Sequence, residues 1–139
     1  MGLVYADITL INAGDTIAQK RGLIKETEIR ETTVTAMVNT GAGTLVINEE
    51  LRKELGLELK GSYLAELADG SKILYSKADP VEIQWKNRDT VLRPIVVPTA
   101  NEVLLGAIAL EDMDLIVNPT KQELVGAHGD DILHKLKPA

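Results

Sequence analysis

The chain contains no cysteine and no phenylalanine, and aromatic residues make up only 3% of its 139 positions. Without cysteine there can be no disulfide, no thiol catalysis and no cysteine-based zinc site, which fits a reducing compartment. The scarcity of aromatics argues against stacking on single-stranded nucleic acid. Basic charge is also short. Lys and Arg number 15 against 21 Asp and Glu, a formal net charge of −6. Lys20-Arg21 is too short a run to act as a phosphate-binding footprint. No apolar stretch approaches the roughly 18 residues of a membrane span. Residues 1–6 lack the basic start and long apolar core of a signal peptide. Gly2 stands at a myristoylation position, but Ala6 occupies the place of the required Ser or Thr. The expectation is a soluble cytoplasmic protein with neither a membrane nor a nucleic-acid partner.

What remains is 45% hydrophobic and 26% charged, the balance of one ordinary globular domain spanning 1–139. A chain of this length buries roughly 68% of its unfolded surface on folding. With so few aromatics the core must come from Val, Ile, Leu and Ala, and the Val and Ile share favours strands. Val4–Asn12 reads as a strand ending at a turn, Ala13-Gly14-Asp15. Residues 16–27 read as a loop or short helix. Glu28–Val38 alternates Val34, Ala36 and Val38 against Thr33, Thr35 and Met37, the period of a half-buried strand. Asn39-Thr40-Gly41-Ala42-Gly43 breaks the pattern, and the apolar run Thr44–Ile47 follows.

The clearest helix signal comes next. Asn48 is a good N-cap, Glu49 and Glu50 suit the positive end of the dipole, Leu51 and Leu55 share a face, and Gly56 closes it. Tyr63–Leu67 and Lys72–Ala78 flank Ala68-Asp69-Gly70-Ser71 as a hairpin. Further strands are expected over Val81–Trp85, Val91–Val97 and Val103–Leu105, with a turn at Lys86–Asp89. Gly106 precedes a short helix over Ala107–Asp112. Leu115–Val117 and Glu123–Val125 form a last hairpin around Asn118-Pro119. The sum is about eight short strands and one or two short helices, a mostly-β closed barrel or sheet. Blocks 34–56 and 97–113 share the order apolar strand, glycine turn, helix, which either an internal duplication or chance explains.

The segment Ala36-Met37-Val38-Asn39-Thr40-Gly41-Ala42-Gly43-Thr44-Leu45-Val46-Ile47 resembles the active-site segment of retropepsin-like (retroviral-type) aspartic proteases and their bacterial relatives. In that family an apolar strand runs into Asp-Thr-Gly-Ala, often followed by a small hydroxyl residue. Leu104-Leu105-Gly106 and the helix after it resemble the family's apolar-apolar-Gly element, which packs beneath the active-site loop. The Tyr63–Ala78 hairpin lies where the family places its substrate-covering flap. The likeness covers roughly residues 29–125; residues 1–28 exceed what a minimal subunit needs. It implies an acid-protease fold acting on peptides or proteins, with no cofactor and no metal.

The chemistry needs two carboxylates sharing one proton across a water. The chain has one candidate loop. Asp15-Thr16 and Asp89-Thr90 are not followed by glycine, so the second carboxylate would come from a second copy across a two-fold axis. By resemblance, Thr40 would hydrogen-bond across that axis, Gly41 would allow close approach of two backbones, and Ala42 would keep the space beside the water small. Asp69 and Gly70 would lie at the flap tip against the substrate. Two positions depart from the pattern. Asn39 replaces the catalytic aspartate, and an amide cannot take a proton from water. Gly43 lacks the hydroxyl that often orients the aspartate. A deliberate trapping substitution and natural drift both fit these departures.

Simpler readings stand beside these. The segment at Asn39 also reads as a strand and a glycine-rich turn, and Asp69-Gly70 as an ordinary hairpin turn. Gly41-Ala42-Gly43 is a G-x-G, but Val46 stands where a nucleotide loop has its third glycine. His128 and His134 lie in a polar tail without the further ligands of a metal site. Trp85 reads as core or interface. Three functions follow: an aspartic endopeptidase subunit in inactive form, a pseudoprotease binding extended peptides by strand addition, and a structural dimer without a working cleft.

Overall fold

The computed structural model describes residues 3–136. It contains eleven strands and three short α-helices among the described residues. Nine strands form one sheet that curls into a half-barrel. In chain order these are β1 (Tyr5–Asn12), β2 (Glu31–Val38), β3 (Val46–Ile47), β4 (Leu59–Glu66), β5 (Lys72–Ala78), β6 (Val81–Trp85), β7 (Arg88–Leu92), β8 (Ile95–Val96) and β9 (Val103–Leu105). Their spatial order is β4-β5-β8-β3-β9-β2-β1-β6-β7, so β4 and β7 are the end strands. The last hairpin, β10 (Leu115–Asn118) and β11 (Glu123–Gly126), pairs apart from that sheet. The helices are α1 (Ala13–Lys20), α2 (Glu49–Glu54) and α3 (Ala107–Asp112). The mostly-β architecture expected from the sequence is the one observed.

The core is aliphatic, as the lack of phenylalanine requires. Ile8, Leu10, Leu45, Ile47, Leu55, Ile83 and Leu105 are wholly buried. β1 is an interior strand of the sheet, antiparallel to both β2 and β6. Residues 5–12 therefore supply central core, through Ala6, Ile8, Leu10 and Ile11.

Several expected boundaries move, each for a local reason. Ala13-Gly14-Asp15 is the first turn of α1 and not a free turn, because Asn12 caps the helix by accepting the Asp15 N–H at 3.0 Å. The Asp15 carboxylate then takes two hydrogen bonds from the Arg30 guanidinium, at 2.8 and 2.9 Å. That contact holds the Asp15 carboxyl below its ordinary range. The strand expected from Glu28 starts at Glu31, after a 3-10 turn at Glu26–Glu28. The run Val91–Val97 is broken between β7 and β8 at Arg93-Pro94, where proline has no N–H to give a ladder. The turn expected at Lys86–Asp89 is tighter, with Trp85 paired directly to Arg88.

Arg88 is only 2% exposed. Its guanidinium donates to the carbonyls of Met113 at 2.9 Å and Asp114 at 2.6 Å. It also donates to Gly129 and Asp131. One buried cation thereby ties the sheet to the segment after β11. His128 Nδ1 lies 2.7 Å from the Asp114 carboxylate in the same cluster.

Candidate active site

The loop of residues 39–45 is built by one short strand. β2 enters the loop and β3 leaves it, and β9 lies between them. β9 is parallel to β2, with Ala36, Met37 and Val38 opposite Val103, Leu104 and Leu105. It is antiparallel to β3, with Val46 opposite Leu104. The Asn39 N–H donates to the Leu105 carbonyl at 3.0 Å, so the end of β9 fixes the start of the loop. Inside the loop, the Ala42 N–H donates to the Asn39 carbonyl and the Gly41 N–H to Asn39 Oδ1, each at 3.0 Å.

The loop's own carbonyls are met from below. The Ala107 N–H donates to the Ala42 carbonyl at 2.9 Å and the Ile108 N–H to that of Gly43 at 3.1 Å. The first turn of α3, whose N–H groups have no partner within the helix, thus seats the loop. Gly106 makes this approach possible. A Cβ there would lie 2.3 Å from the Thr44 carbonyl oxygen and 2.6 Å from that of Ala42. The Leu104-Leu105-Gly106 element is therefore a socket, with Leu105 buried beneath it.

The β4–β5 hairpin stands over the other side of the loop. Gly41, Ala42 and Gly43 line a cavity of about 210 Å³ together with Tyr63, Ala65 and Tyr75. Val46, Ile95 and Val97 extend its apolar wall. At the hairpin tip, Gly70 has φ +85° and its N–H donates to the Leu67 carbonyl at 2.9 Å. The Asp69 carboxylate accepts the Ser71 hydroxyl at 2.5 Å and the Ser71 N–H at 2.9 Å. The hydroxyl, then the amide, hold the Asp69 carboxyl below its ordinary range. Asp69 and Gly70 are outside the lining of the cavity.

A family model described as gag-polyprotein putative aspartyl protease matches residues 25–124. The chain belongs to that family. It is also similar to a crystal structure of a retropepsin-like aspartic protease from Rickettsia conorii. The identity is 14%, over 84% of this chain and 88% of that one, with a TM-score of 0.39. No curated protein sequence matches the chain.

Within this aspartyl-protease family chain, the sequence-derived residues fall in three places, of which the hairpin tip of Asp69 and Gly70 is one. Asn39, Gly41 and Ala42 share one hydrogen-bonded loop, with Asn39 half-buried at its start. Thr40 is exposed and borders a separate cavity of about 360 Å³ with Ala107, Leu110, Ile116 and Val117. Tyr63 and Tyr75 were not identified as cleft residues. Leu64 and Leu74 interrupt the polar face of Lys60, Ser62, Glu66 and Lys72, although the alternation of that face with Gly61, Tyr63 and Ala65 is the signal that could have marked the inner one. Leu64 and Leu74, on the opposite face, are 57% and 66% exposed. Among the described residues no group of three or more His, Asp or Glu could hold a metal ion. No helix there is long and apolar enough to cross a membrane.

Proposed function

We propose that this chain is one subunit of a homodimeric aspartic endopeptidase, inactive as written because Asn39 occupies the position of the catalytic aspartate. The observation that carries the reading is the hydrogen bond from the Gly41 N–H to Asn39 Oδ1 at 3.0 Å. A carboxylate at this position would accept the same bond. Its second oxygen would then be available to a water shared with a symmetry-related loop. An amide presents the same shape without a group that can take the water's proton.

Two features support a second copy. Thr40 is exposed at the crown of the loop, and the cavity beside it is walled mainly by apolar residues of α3 and β10. The chain also has no alternative second carboxylate loop. Asp15 lies in α1 bound to Arg30, and Asp89 lies on the end strand β7. In a dimer, Thr40 would bond across the axis. Gly41 and Ala42 would face the substrate, and Asp69-Gly70 would close over it. A pseudoprotease that binds extended peptides is the second reading, favoured by the intact cavity between loop and hairpin.

The test is cleavage of an extended peptide in mild acid by the Asn39→Asp variant, beside the unaltered chain. Cleavage by the variant alone is expected. A folded, dimeric variant that binds peptide without cutting it would select the pseudoprotease, and a monomer would exclude both.

A further inference from the structure

The cavity under the hairpin contains a polar group that the loop and the fold do not use. Tyr63 and Tyr75 face each other directly across β4 and β5, and both line the cavity. They are two of the three tyrosines in a chain without phenylalanine. The third, Tyr5, donates its hydroxyl to Glu102 at 2.9 Å. Neither the Tyr63 nor the Tyr75 hydroxyl makes a hydrogen bond among the described residues, and both side chains border the cavity. Tyr63 is 40% exposed, so its hydroxyl meets solvent in the free chain and is open to an entering ligand.

That hydroxyl hangs over Gly43. It lies 3.9 Å from the point where a Cβ on Gly43 would sit, and apart from sequence neighbours it is the one atom within 4 Å of that point. Gly43 has no positive φ to explain the glycine. The loop thus omits a side chain at 43, and the hairpin fills the space above with a hydroxyl. A peptide main chain entering between them would leave water and need a partner for its polar groups. Val46, Ala65, Ile95 and Val97 form an apolar wall beside it, and the polar side chains of the lining are Thr44, Glu66 and the two tyrosines, of which Tyr63 is the one placed over Gly43.

We propose that Tyr63 is a substrate-positioning residue, whose hydroxyl hydrogen-bonds the main chain of an extended peptide from the hairpin side of the cavity, in the space that Gly43 leaves open. This rests on the reading that the cleft takes peptides. Because the group rides on the hairpin, it engages the peptide only where hairpin and loop face each other, and its effect falls on binding before chemistry.

The test is made in the Asn39→Asp background with an extended peptide. Tyr63→Phe, which removes the hydroxyl alone, should raise KM by roughly 3–10-fold, the weight of one hydrogen bond, with the change in KM and not in kcat. Adding Gly43→Ser should recover most of that loss, since the space for a Cβ is open. A packing role for the phenol would not be rescued in this way. An unchanged KM, or a loss that Gly43→Ser fails to restore, overturns the proposal and leaves the protease reading standing. Where Asn39→Asp does not cleave, the protease reading fails. The same substitutions are then read as peptide affinity of the Asn39 chain. A matching 3–10-fold weakening, restored by Gly43→Ser, supports the role of Tyr63. No weakening, or no peptide binding at all, overturns it.

Discussion

Gly106 and Gly70 stand on opposite sides of the cleft and are glycines for opposite reasons. At Gly106 the backbone is extended, with φ −94° and ψ −179°, which any residue adopts. What excludes a side chain there is the loop, two of whose carbonyl oxygens lie within 2.6 Å of where a Cβ would be. At Gly70 nothing lies within 4 Å of such a Cβ, but φ is +85°. One glycine is fixed by crowding and the other by conformation in open space. The same contrast runs through the two regions. The socket is buried and paired through β9 and α3, whereas the hairpin is exposed on both faces and held mainly by its own ladder. Chemistry that needs sub-ångström placement belongs on the first, and a cover that admits substrate belongs on the second.

The largest expected effect breaks the socket's chemistry open. Asn39→Asp should raise peptide cleavage by on the order of 10⁶-fold, the usual weight of a catalytic group acting in a unit. Its pH profile should be a bell on the acid side of neutral. The sign for the dimer follows. Pairing two carboxyls raises one pKa above its value in the separate subunit. That stabilisation is present below the separate value and is lost as pH rises through the raised one. Sedimentation of Asn39→Asp should therefore show weaker dimers at alkaline pH, and the unaltered chain should show no such loss.

Next comes Gly106→Ala, which should destabilise the fold by roughly 3 kcal/mol or more, since backbone would have to move. Thermal unfolding reads the loss, and in the Asn39→Asp background cleavage should vanish even where the protein remains folded. Gly70→Ala should cost only about 1–2 kcal/mol, the strain of a left-handed backbone, and should alter KM more than Tm. Equal Tm losses for the two alanines would erase the distinction drawn between socket and hairpin.

The smallest effect concerns the hairpin tip. The Asp69 carboxyl is held below its ordinary value of 3.8 by Ser71. Its contribution is therefore present above that value and is lost as pH falls through the lowered one. Across mild acid the tip stays capped. Asp69→Ala should speed amide exchange at Ser71 at pH 5 while leaving exchange at Asn39 and Ala42 unchanged.

The sequence disclosed the socket better than the hairpin. Asn39-Thr40-Gly41-Ala42 and Leu104-Leu105-Gly106 are legible because each position there is constrained by a neighbour. The hairpin's existence was legible from Asp69-Gly70, but its inner face was obscured by Leu64 and Leu74, apolar residues on the otherwise polar outer face of Lys60, Ser62, Glu66 and Lys72. A loop or short helix was read only from residue 16, so the start of α1 at Ala13 was hidden by Gly14, although Asn12 three residues before Asp15 is an N-cap spacing that could have revealed it. Arg88 was hidden entirely. An arginine beside a turn is normally solvated, and nothing local announces the carbonyls of Met113 and Gly129 that bury it. The interior place of β1, between β2 and β6, was likewise unreadable, since strand order is a property of long-range pairing.

The position of β9 also sets a clock. Asn39 leaves the ribosome long before Leu105, whose carbonyl fixes it, and before the N–H groups of Ala107 and Ile108 that seat the loop. Pairings between distant segments form late, and a nascent chain folds only with what has emerged. A growing chain that stops short of α3 therefore has the residues of the loop without its shape.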